Sequence, residues 1–597
     1  MAKPQSTRRR KAQRRVVVLL VLCCAVFALF LARLAWLQFA MADHYAQKLA
    51  EASSASYTIT QHAARGAITD RSGTVLARDE TVYDVYLRVP APPGTNLRET
   101  VNTISALTGG KDVETQLAAF CLAVSAGELP IAQGLDSTAA AAYYRAGLVQ
   151  SGAVRLAVRG VRAWPDGRIL PHALGFTGPI TAEQWPAARA RGLAMDATLG
   201  QSGLEAAYDD LLRGQDGALL VNAGLDGIIR KATQVCAPAP GSTLVLTLDA
   251  GLQKTLQAAL QTQMDTLRTT KGAGAGREVK AGAAVVVDVR TGGILAAASL
   301  PDFDLNQYRS GYAALCADAA APLLDRVCQG LYAPGSAFKP AVAAAALTAG
   351  ISPAAAVNCT GRYYYYSSYH PGCLQYGHSG PVDLRTALEY SCNIFFYDTG
   401  RRLGVDTFSA MAQQLGLAAD TGVEVAAAQG RLTWSSDANY QDGLTLMAAI
   451  GQGNTAVTPL QLAQYAATLA SFGRKPALHF ADRAVDPATG ETVWQYVPTF
   501  TEIPGGESVF GPIRDGMKRM AQTSRVLRGA PVVCAAKTGS PQLADTLPGG
   551  SHYVNSVLIG YAPADDPQIA AAVVLEYGGG GANAAPILRA VLDAWFA

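Results

Sequence analysis

The stretch YAPGSAFKPAV, residues 332–342, places a serine and a lysine three positions apart in an otherwise apolar segment. Pro334 and Gly335 precede the pair and predict the start of a helix on which Ser336 and Lys339 share one face. A serine hydroxyl becomes an effective nucleophile when a neighbouring base takes its proton, and lysine can be that base when burial lowers its pKa. Such a pair occurs about once by chance in a chain of this composition, so on its own it fits a solvated helix face better. A serine nucleophile with a lysine base needs companion motifs elsewhere in the sequence.

A second polar pair, Ser391 and Asn393, flanks one cysteine where ALEY runs into IFFYDTG. In extended or turn backbone both side chains project to the same side of the chain. They would then offer a hydroxyl that relays a proton and an amide that grips a peptide carbonyl. The alternative is a serine and an asparagine that cap the next helix.

Lys537, Thr538 and Gly539 follow the apolar segment 531–536, which predicts a strand. Strand alternation puts Lys537 and Gly539 on one face, and the glycine would let a substrate backbone lie alongside as an added strand. The lysine supplies positive charge for a carboxylate. A charged residue at the end of a strand is the simpler alternative.

Elements from both ends of the second half of the chain must position these motifs. GAAVVVDVRTGGILAAAS predicts a β-hairpin around residues 291–293, and alanine-rich helices are predicted over 338–349 and 386–403. PVVCAAKTGS, SVLIGYAP and IAAAVVLEY then predict strands before a last helix over 585–595. Strands at both ends with helices between them predict one sheet built from distant parts of the sequence.

The segment between residues 42 and 239 shows no comparable chemistry. Within it, ARGAITDRSGTVLA (64–77) predicts two short strands joined by a turn at 70–73. Prolines and a glycine punctuate the chain at 238–241, and we place a domain boundary near residue 240.

The first forty residues have the pattern of a membrane anchor. A basic cluster at 8–15 precedes an apolar run over 16–32, which residues 34–37 extend beyond an Arg33 that can snorkel. This length approaches the roughly 20 residues that cross a bilayer, and the basic flank predicts a cytoplasmic N-terminus with the bulk of the chain outside. A signal peptide cleaved near AMA at 40–42 is the alternative, but the apolar run exceeds the usual signal core, so we favour an uncleaved anchor.

The composition of the chain limits the classes of protein to which it can belong. A chain of 597 residues predicts several domains. With 16% charged residues and a net charge of +3 there is no broad basic surface, so we expect no nucleic-acid partner. The cysteines outside the apolar run are too few for a disulfide scaffold.

The three motifs in this order resemble those of class B penicillin-binding proteins, which are monofunctional peptidoglycan transpeptidases. The likeness extends over most of the chain, through the basic tail, the anchor and four further blocks. These blocks are RGAITDRSG (65–73), GQSGLEAAYDDLLRG (200–214), PAPGSTLVLTLDAGLQ and IGQGNTAVTPLQLA (450–463).

The resemblance implies an α/β multidomain protein with a single N-terminal transmembrane helix and an elongated, mixed α/β pedestal. A C-terminal penicillin-binding transpeptidase domain would follow, with an antiparallel sheet and flanking helices as in β-lactamases. The expected bounds are 1–15 for a cytoplasmic tail, 16–40 for the anchor, 41–240 for a non-catalytic pedestal of the dimerisation type and 241–597 for the transpeptidase domain.

The resemblance also implies a role for each motif residue. Ser336 would attack the carbonyl of the penultimate D-alanine of a stem peptide and release the last D-alanine, with Lys339 as base and Ser391 as proton relay. An amine of a neighbouring stem peptide would then take the acyl group, and β-lactams would acylate the same serine. We expect no cofactor.

Substrate binding is implied for the other motif residues. Asn393 would hold the peptide, while Lys537 and Thr538 would bind its terminal carboxylate and Gly539 would lie along the substrate backbone. The backbone N–H groups of Ser336 and Ser540 would form the oxyanion hole. Ser540 stands where many relatives carry threonine, which leaves the backbone donor unchanged.

A second hypothesis is a catalytically weak β-lactam-binding sensor or a scaffold of a cell-wall synthesis complex. Such a sensor would be expected to have several spans and a cytoplasmic effector. A β-lactamase or a D,D-carboxypeptidase would need neither an uncleaved anchor nor a stalk of this length. The implied partners are stem peptides, β-lactams as covalent inhibitors and membrane-embedded wall-synthesis proteins.

The segment from Cys359 to His378 also contains His370 and Cys373, with the tyrosine-rich run YYYYSSY between them. These residue types could bind zinc, although their spacing matches no standard finger. Cys359 and Cys373 could instead form a disulfide beside the site, or remain as thiols. The resemblance does not separate these states, so we assign no metal and keep the four residues as candidate ligands.

Overall fold

The structure is a computed structural model. It describes residues 6–45, 48, 55–92, 94–123, 127–223, 229–272, 274–374, 377–548 and 550–597. The strands are β1 Ala55–Gln61, β2 Ile68–Thr69, β3 Val75–Val89, β4 Gly127–Leu135, β5 Val154–Ala163, β6 Thr177–Pro179, β7 Thr198–Gly200, β8 Gly217–Ala223, β9 Ile229–Cys236, β10 Thr243–Leu246, β11 Gly282–Asp288, β12 Ile294–Leu300, β13 Val357–Cys359, β14 Gly380–Val382, β15 Arg474–Pro476, β16 Ala481–Val485, β17 Thr492–Gln495, β18 Phe500–Glu502, β19 Ala535–Gly539, β20 Gln542–Thr546, β21 His552–Val554, β22 Ser556–Ala562 and β23 Ile569–Leu575.

The helices follow the same chain order. They are α1 Ser6–Ala35, α2 Leu97–Leu107, α3 Val113–Ala123, α4 Ser137–Arg145, α5 Pro171–Leu174, α6 Trp185–Ala190, α7 Gly203–Ala207, α8 Asp209–Leu212, α9 Ala250–Arg268, α10 Tyr308–Ala317, α11 Lys339–Thr348, α12 Leu384–Glu389, α13 Asn393–Leu403, α14 Val405–Gln414, α15 Asp442–Ala449, α16 Pro459–Ala470, α17 Gly506–Thr523 and α18 Ala585–Phe596. A π-helical turn spans Trp36–Ala40, and 3₁₀ turns span Leu305–Gln307, Gly335–Phe338, Leu527–Gly529 and Gly581–Ala584.

One compact unit comprises residues 1–63 and 215–239. Its helical segment Arg9–Ala40 has a mean hydropathy of 2.9 over its most apolar window and exposed side chains, and it is long enough to cross a membrane. The predicted apolar N-terminal helix is therefore confirmed. The unit also contains a three-stranded antiparallel sheet in the order β1–β8–β9.

The second compact unit comprises residues 64–214 and 240–597. One of its sheets has the order β17–β16–β10–β2–β3–β4, and β5 also pairs with β3. β2 and β3 are antiparallel around the predicted turn, in which Asp70 Oδ1 accepts the backbone N–H groups of Ser72 and Thr74. β3 continues to Val89, beyond the short strand predicted from the sequence. β10 pairs in parallel with β2. The domain boundary proposed near residue 240 therefore assigns two strands of one sheet, β2 and β10, to different domains.

Buried ion pairs hold the segments around this sheet together. Glu205, fully buried at the start of α7, accepts the Nε–H groups of Arg65 and Arg162 at 2.6 Å each. Arg65 also donates to Asp209 Oδ1 at 2.7 Å. Because each charge faces opposite charges, the cluster can be buried without an uncompensated ion.

The central sheet of the second unit has the order β12–β11–β23–β22–β19, with every pair antiparallel. It confirms the prediction of one sheet assembled from distant parts of the chain. Apolar side chains of β11 and β23 alternate between two cores, one shared with α9 and α18 and the other with α11 and α16. Helix α11, which begins at Lys339, therefore lies against one face of this sheet.

Two predicted elements differ from the structure. The helix predicted over 386–403 is two helices, α12 and α13, because Ser391 has a φ of 59° in the left-handed region, which α-helical backbone does not adopt. The strand predicted from residue 531 begins only at Ala535. Pro531 has no N–H group to contribute to a strand ladder, which favours the later start.

Candidate active site

Ser336 and Lys339 lie in continuous helical backbone. The 3₁₀ turn Gly335–Phe338 leads directly into α11, and residues three apart in 3₁₀ geometry lie on the same side. Gly335 has a φ of 56° and donates its N–H to the Gly451 carbonyl at 2.9 Å. Ser336 is half-buried and Lys339 fully buried, so the serine lies nearer to solvent than its neighbouring amine.

The Lys339 amine is the centre of the polar contacts. Its Nζ donates to the Ser391 carbonyl at 2.7 Å, to Ser391 Oγ at 3.1 Å and to Asn393 Oδ1 at 2.7 Å. Within the described residues none of its hydrogen-bond partners is a carboxylate. Burial lowers the pKa of Lys339 to about 7, because the charged form loses its hydration. The neutral amine is therefore populated near neutral pH, as a base requires.

The turn between α12 and α13 presents Ser391 and Asn393 to this amine. Cys392, the residue before α13, makes no side-chain capping hydrogen bond, and Ser391 and Asn393 instead contact Lys339. The positive φ of Ser391 is a strained conformation of the kind that clusters at functional sites. The structure therefore does not support the helix-capping alternative for this pair.

Lys537 reaches the same hydroxyl from β19. Its Nζ donates to Ser391 Oγ at 3.0 Å and to the Thr538 carbonyl at 3.1 Å, and its side chain is fully buried. Burial, and then the nearby charge of Lys339, hold the pKa of Lys537 well below its usual range. Ser391 Oγ thus lies between two lysine amines that disfavour each other's charge.

The end of β19 packs directly against the 3₁₀ turn Gly335–Phe338, here called the serine turn. A Cβ on Gly539 would lie 2.2 Å from the Pro334 carbonyl oxygen, and one on Gly335 would lie 3.1 Å from Ser540 N. Glycine at position 539 is thus explained by close packing inside the protein, where the sequence suggested room for a substrate backbone. Ser540 Oγ accepts the Gly581 N–H at 2.8 Å, which gives this side chain a local structural contact.

A cluster of potential metal ligands lies immediately beside these residues. It consists of Cys359, Cys373, His378 and Cys392, whose ligand atoms all lie within 4.8 Å of one another. His370 instead packs its ring against Tyr364, with centroids 4.9 Å apart. Sequence reasoning missed Cys392 as a ligand. Its position between the motif residues Ser391 and Asn393 was the available signal, and the structure shows that it is fully buried.

The cluster geometry fits a tetrahedral ion. His378 Nε2 lies 3.6 Å from Cys359 Sγ and 3.5 Å from Cys373 Sγ. Zinc bonds of about 2.3 Å to sulfur and 2.0 Å to nitrogen at tetrahedral angles would place these atoms about 3.5 Å apart. Three thiols and an imidazole are also a standard donor set for structural zinc.

A serine and a buried lysine on one helical segment, a polar turn and a lysine-bearing strand at the edge of an antiparallel sheet are the arrangement expected of an active-site serine acyltransferase. Comparison with known proteins gives the family. Residues 282–593 match the penicillin binding protein transpeptidase domain, and residues 60–246 match the penicillin-binding protein dimerisation domain. The chain belongs to the penicillin-binding proteins with a transpeptidase domain, which confirms the family predicted from the sequence.

Curated relatives are similar over most of the chain. Peptidoglycan D,D-transpeptidase MrdA of Acinetobacter baumannii is 30% identical over 89% of this chain and 80% of that protein. MrdA of Escherichia coli K12 is 27% identical over 89% of this chain and 86% of that protein. The transpeptidase activity predicted from the sequence is confirmed, and the sensor alternative is not favoured.

Solved structures give the same result for the fold. One from a study of polymerization and crosslinking by a peptidoglycan synthase complex has a TM-score of 0.74 at 29% identity, and covers 98% of both chains. The complex of PBP2 with MreC from Helicobacter pylori has a TM-score of 0.74 at 22% identity, covering 90% of this chain and 98% of that one. The predicted fold class is thereby confirmed.

Proposed function

We propose that this transpeptidase cross-links peptidoglycan stem peptides through an acyl-enzyme on Ser336. The observation that carries the assignment is the buried Lys339 amine, whose lowered pKa and contacts to Ser391 and Asn393 suit a base. The alternative of a solvated helix face does not fit a lysine with no exposed surface.

In the first step the Lys339 amine takes the proton of Ser336 as Oγ attacks the carbonyl carbon of the penultimate D-alanine. The backbone N–H groups of Ser336 and Ser540 stabilise the oxyanion that forms, since β19 ends against the serine turn. Ser391 Oγ, between the two lysine amines, passes a proton to the leaving nitrogen. The C–N bond breaks, D-alanine leaves and an ester to Ser336 remains.

In the second step an amine of a neighbouring stem peptide attacks this ester. The proton transfers of the first step are reversed. The incoming nitrogen loses its proton through Ser391 and Lys339, and Ser336 regains a proton as the new amide forms. A β-lactam enters the first step and leaves an ester that hydrolyses slowly.

The donor peptide adds to the free edge of β19, which pairs only with β22 in the described part of the chain. The half-buried Thr538 hydroxyl binds the terminal carboxylate, while the Lys537 amine, buried behind it, contributes positive potential. Asn393 uses its amide to hold the peptide.

Labelling with a fluorescent penicillin tests this assignment. The full chain should be covalently labelled, and Ser336→Ala should not be, because only the Ser336 hydroxyl can form the ester. Ser310→Ala, an exposed serine on α10, is the matched control and should label like the unaltered chain. Equal labelling of Ser336→Ala would remove Ser336 from its role.

We also infer that Cys359, Cys373, His378 and Cys392 bind a zinc ion beside the active site. A bound ion of this type has a structural role, since four protein ligands leave no open position. Asn393 donates its backbone N–H to Cys373 Sγ at 3.4 Å and its side-chain amide to the Gly372 carbonyl at 3.1 Å. The ligand set would therefore fix the turn that carries Ser391.

The remaining expectations concern placement in the cell. We propose that residues 1–15 are cytoplasmic, that 16–40 span the membrane and that 41–240 and 241–597 are an extracytoplasmic pedestal and catalytic domain. The N-terminal apolar helix and its basic flank support this topology. The similar structure from a peptidoglycan synthase complex supports membrane-embedded wall-synthesis partners.

A further inference from the structure

The loop Thr360–Leu374, here called the tyrosine loop, exposes aromatic rings beside the active site. Tyr364 is 64% exposed and Tyr365 is 58% exposed, and Tyr369 is also on the surface. Exposed apolar surface that is clustered in this way marks binding sites more often than scattered single residues do.

Each of the two most exposed rings packs against a neighbouring side chain. The Arg401 guanidinium covers one face of Tyr365 at 3.9 Å, and the ring of His370 packs against Tyr364. Neighbouring Tyr363 is buried, accepting from Arg401 Nε at 2.9 Å and donating to Asp398 at 3.0 Å. Rigid aromatic side chains lose little conformational entropy when a ligand stacks on them.

The loop is also fixed at its base. Tyr363 N donates to the Pro371 carbonyl at 3.0 Å, and Cys373 N donates to the Gly361 carbonyl at 2.9 Å. The Gly372 carbonyl then accepts from Asn393 Nδ2. One end of the loop therefore touches Asn393, the residue that we assign to the donor peptide.

The chemistry of the substrate indicates what lies there. A stem peptide of about five residues, fully extended, spans at most about 17 Å between its reacting end and the sugar that carries it. The glycan must therefore lie over protein surface within that distance of Ser336. Pyranose rings present apolar C–H faces that stack on aromatic rings, with hydroxyl and N-acetyl groups that phenols and guanidinium groups can bond.

We propose that the tyrosine loop is a binding surface for the glycan strand of the donor, with Tyr364 and Tyr365 stacking on its sugar rings. This inference rests on the proposed function, because it names a further part of the same substrate. It predicts that the enzyme distinguishes stem peptides attached to sugar from free stem peptides.

The test measures how well two ligands compete with a fluorescent penicillin for Ser336 in the full chain. The ligands are a free stem pentapeptide and the same pentapeptide attached to its disaccharide. Each protein is compared with its own labelling rate in the absence of competitor. For the unaltered chain we expect half-inhibition at about a tenfold lower concentration of the disaccharide form, which corresponds to about 1.4 kcal/mol for the two stacked rings together.

The variants assign this preference to the loop. Replacing both Tyr364→Ala and Tyr365→Ala should abolish the tenfold preference, while Tyr364→Phe with Tyr365→Phe should keep most of it because the ring faces remain. Tyr144→Ala, an exposed tyrosine on α4, should leave the preference unchanged.

Two results would overturn the inference: equal potency of both ligands on the unaltered chain, or an undiminished preference in the double alanine variant. A partner protein as the true occupant would give the second result. Failure of the proposed function is distinguishable, because penicillin would then not label Ser336 in any of these proteins.

Discussion

In the proposed mechanism, the protonation of Lys339 determines how the acylation rate depends on pH. A lysine with a pKa of about 7 is mostly neutral above that pH and mostly protonated below it. Only the neutral form can take the Ser336 proton. We therefore expect the acylation rate to rise with pH to a plateau above about pH 8, and to fall about tenfold for each pH unit well below 7.

Stopped-flow measurement of acylation between pH 5.5 and 9 checks this expectation. Lys339→Arg serves as the comparison, because a guanidinium stays charged at all these values and should leave the rate very low throughout. A flat profile for the unaltered chain would show that another group is the base.

At the scale of single elements, the fit between β19 and the serine turn depends on the absence of one side chain. In Gly539→Ala the new Cβ would meet the Pro334 carbonyl oxygen at 2.2 Å, so the strand must move away from the turn. We expect a loss of about 1–3 kcal/mol of stability and a strong loss of acylation. Thermal unfolding and penicillin labelling measure the two effects.

Gly311→Ala on α10 is the matched control for that substitution. A Cβ there meets nothing within 4 Å, and alanine has the higher helix propensity. This variant should be equally or slightly more stable and should label normally. Equal effects of the two substitutions would contradict the packing account of Gly539.

The turn between α12 and α13 should depend on zinc. We expect about one zinc ion per chain by elemental analysis, and a lower unfolding temperature after treatment with a strong chelator, because a ligand that binds only the folded state stabilises it. Cys373→Ser should reduce the zinc content, whereas Cys121→Ser, exposed on α3, should not. The site would be refuted if the purified chain contained no zinc and the chelator left its unfolding temperature unchanged.

The sequence predicts an element well when the residues that determine it are neighbours along the chain. The hairpins at β2–β3 and β11–β12 follow from turn residues and alternation, and both are found. The helix break at Ser391 could not be predicted locally, because no glycine or proline marks it. Its strained backbone is instead held by contacts to Lys339 and Lys537, which are distant in the sequence.

The candidate site shows the same limit. Motif order and the family resemblance predicted that Ser336, Lys339, Ser391 and Lys537 share one site. The hydrogen bonds of Lys339 and Lys537 to Ser391 Oγ support this grouping, and the roles of the residues stay predictions. The metal ligands were assigned less well: the sequence suggested His370, whereas the fold brings Cys392 to the cluster. Ligand sets that meet across separate segments depend on tertiary packing, which spacing alone does not encode.

At the scale of the whole molecule, the buried charges around Glu205 should be critical for stability. Glu205→Gln would leave Arg65 and Arg162 buried without their shared carboxylate, and breaking a buried pair in this way costs about 3–5 kcal/mol. Calorimetry should show a large drop in the unfolding temperature.

The control for this variant is Glu80→Gln. Glu80 pairs with Arg78 on the surface, where both side chains are about half exposed, so we expect a change within about 0.5 kcal/mol. Similar effects of the two substitutions would show that the buried cluster contributes no more than a surface pair.

The strand order of the central sheet has a consequence for biosynthesis. β11 ends at Asp288, yet one of its neighbours is β23, which begins at Ile569. Until those last residues have left the ribosome, β11 lacks one of its two neighbouring strands. This sheet must therefore complete its assembly after nearly all of the chain has been synthesised, and a chaperone that shields β11 until then would meet a physical need.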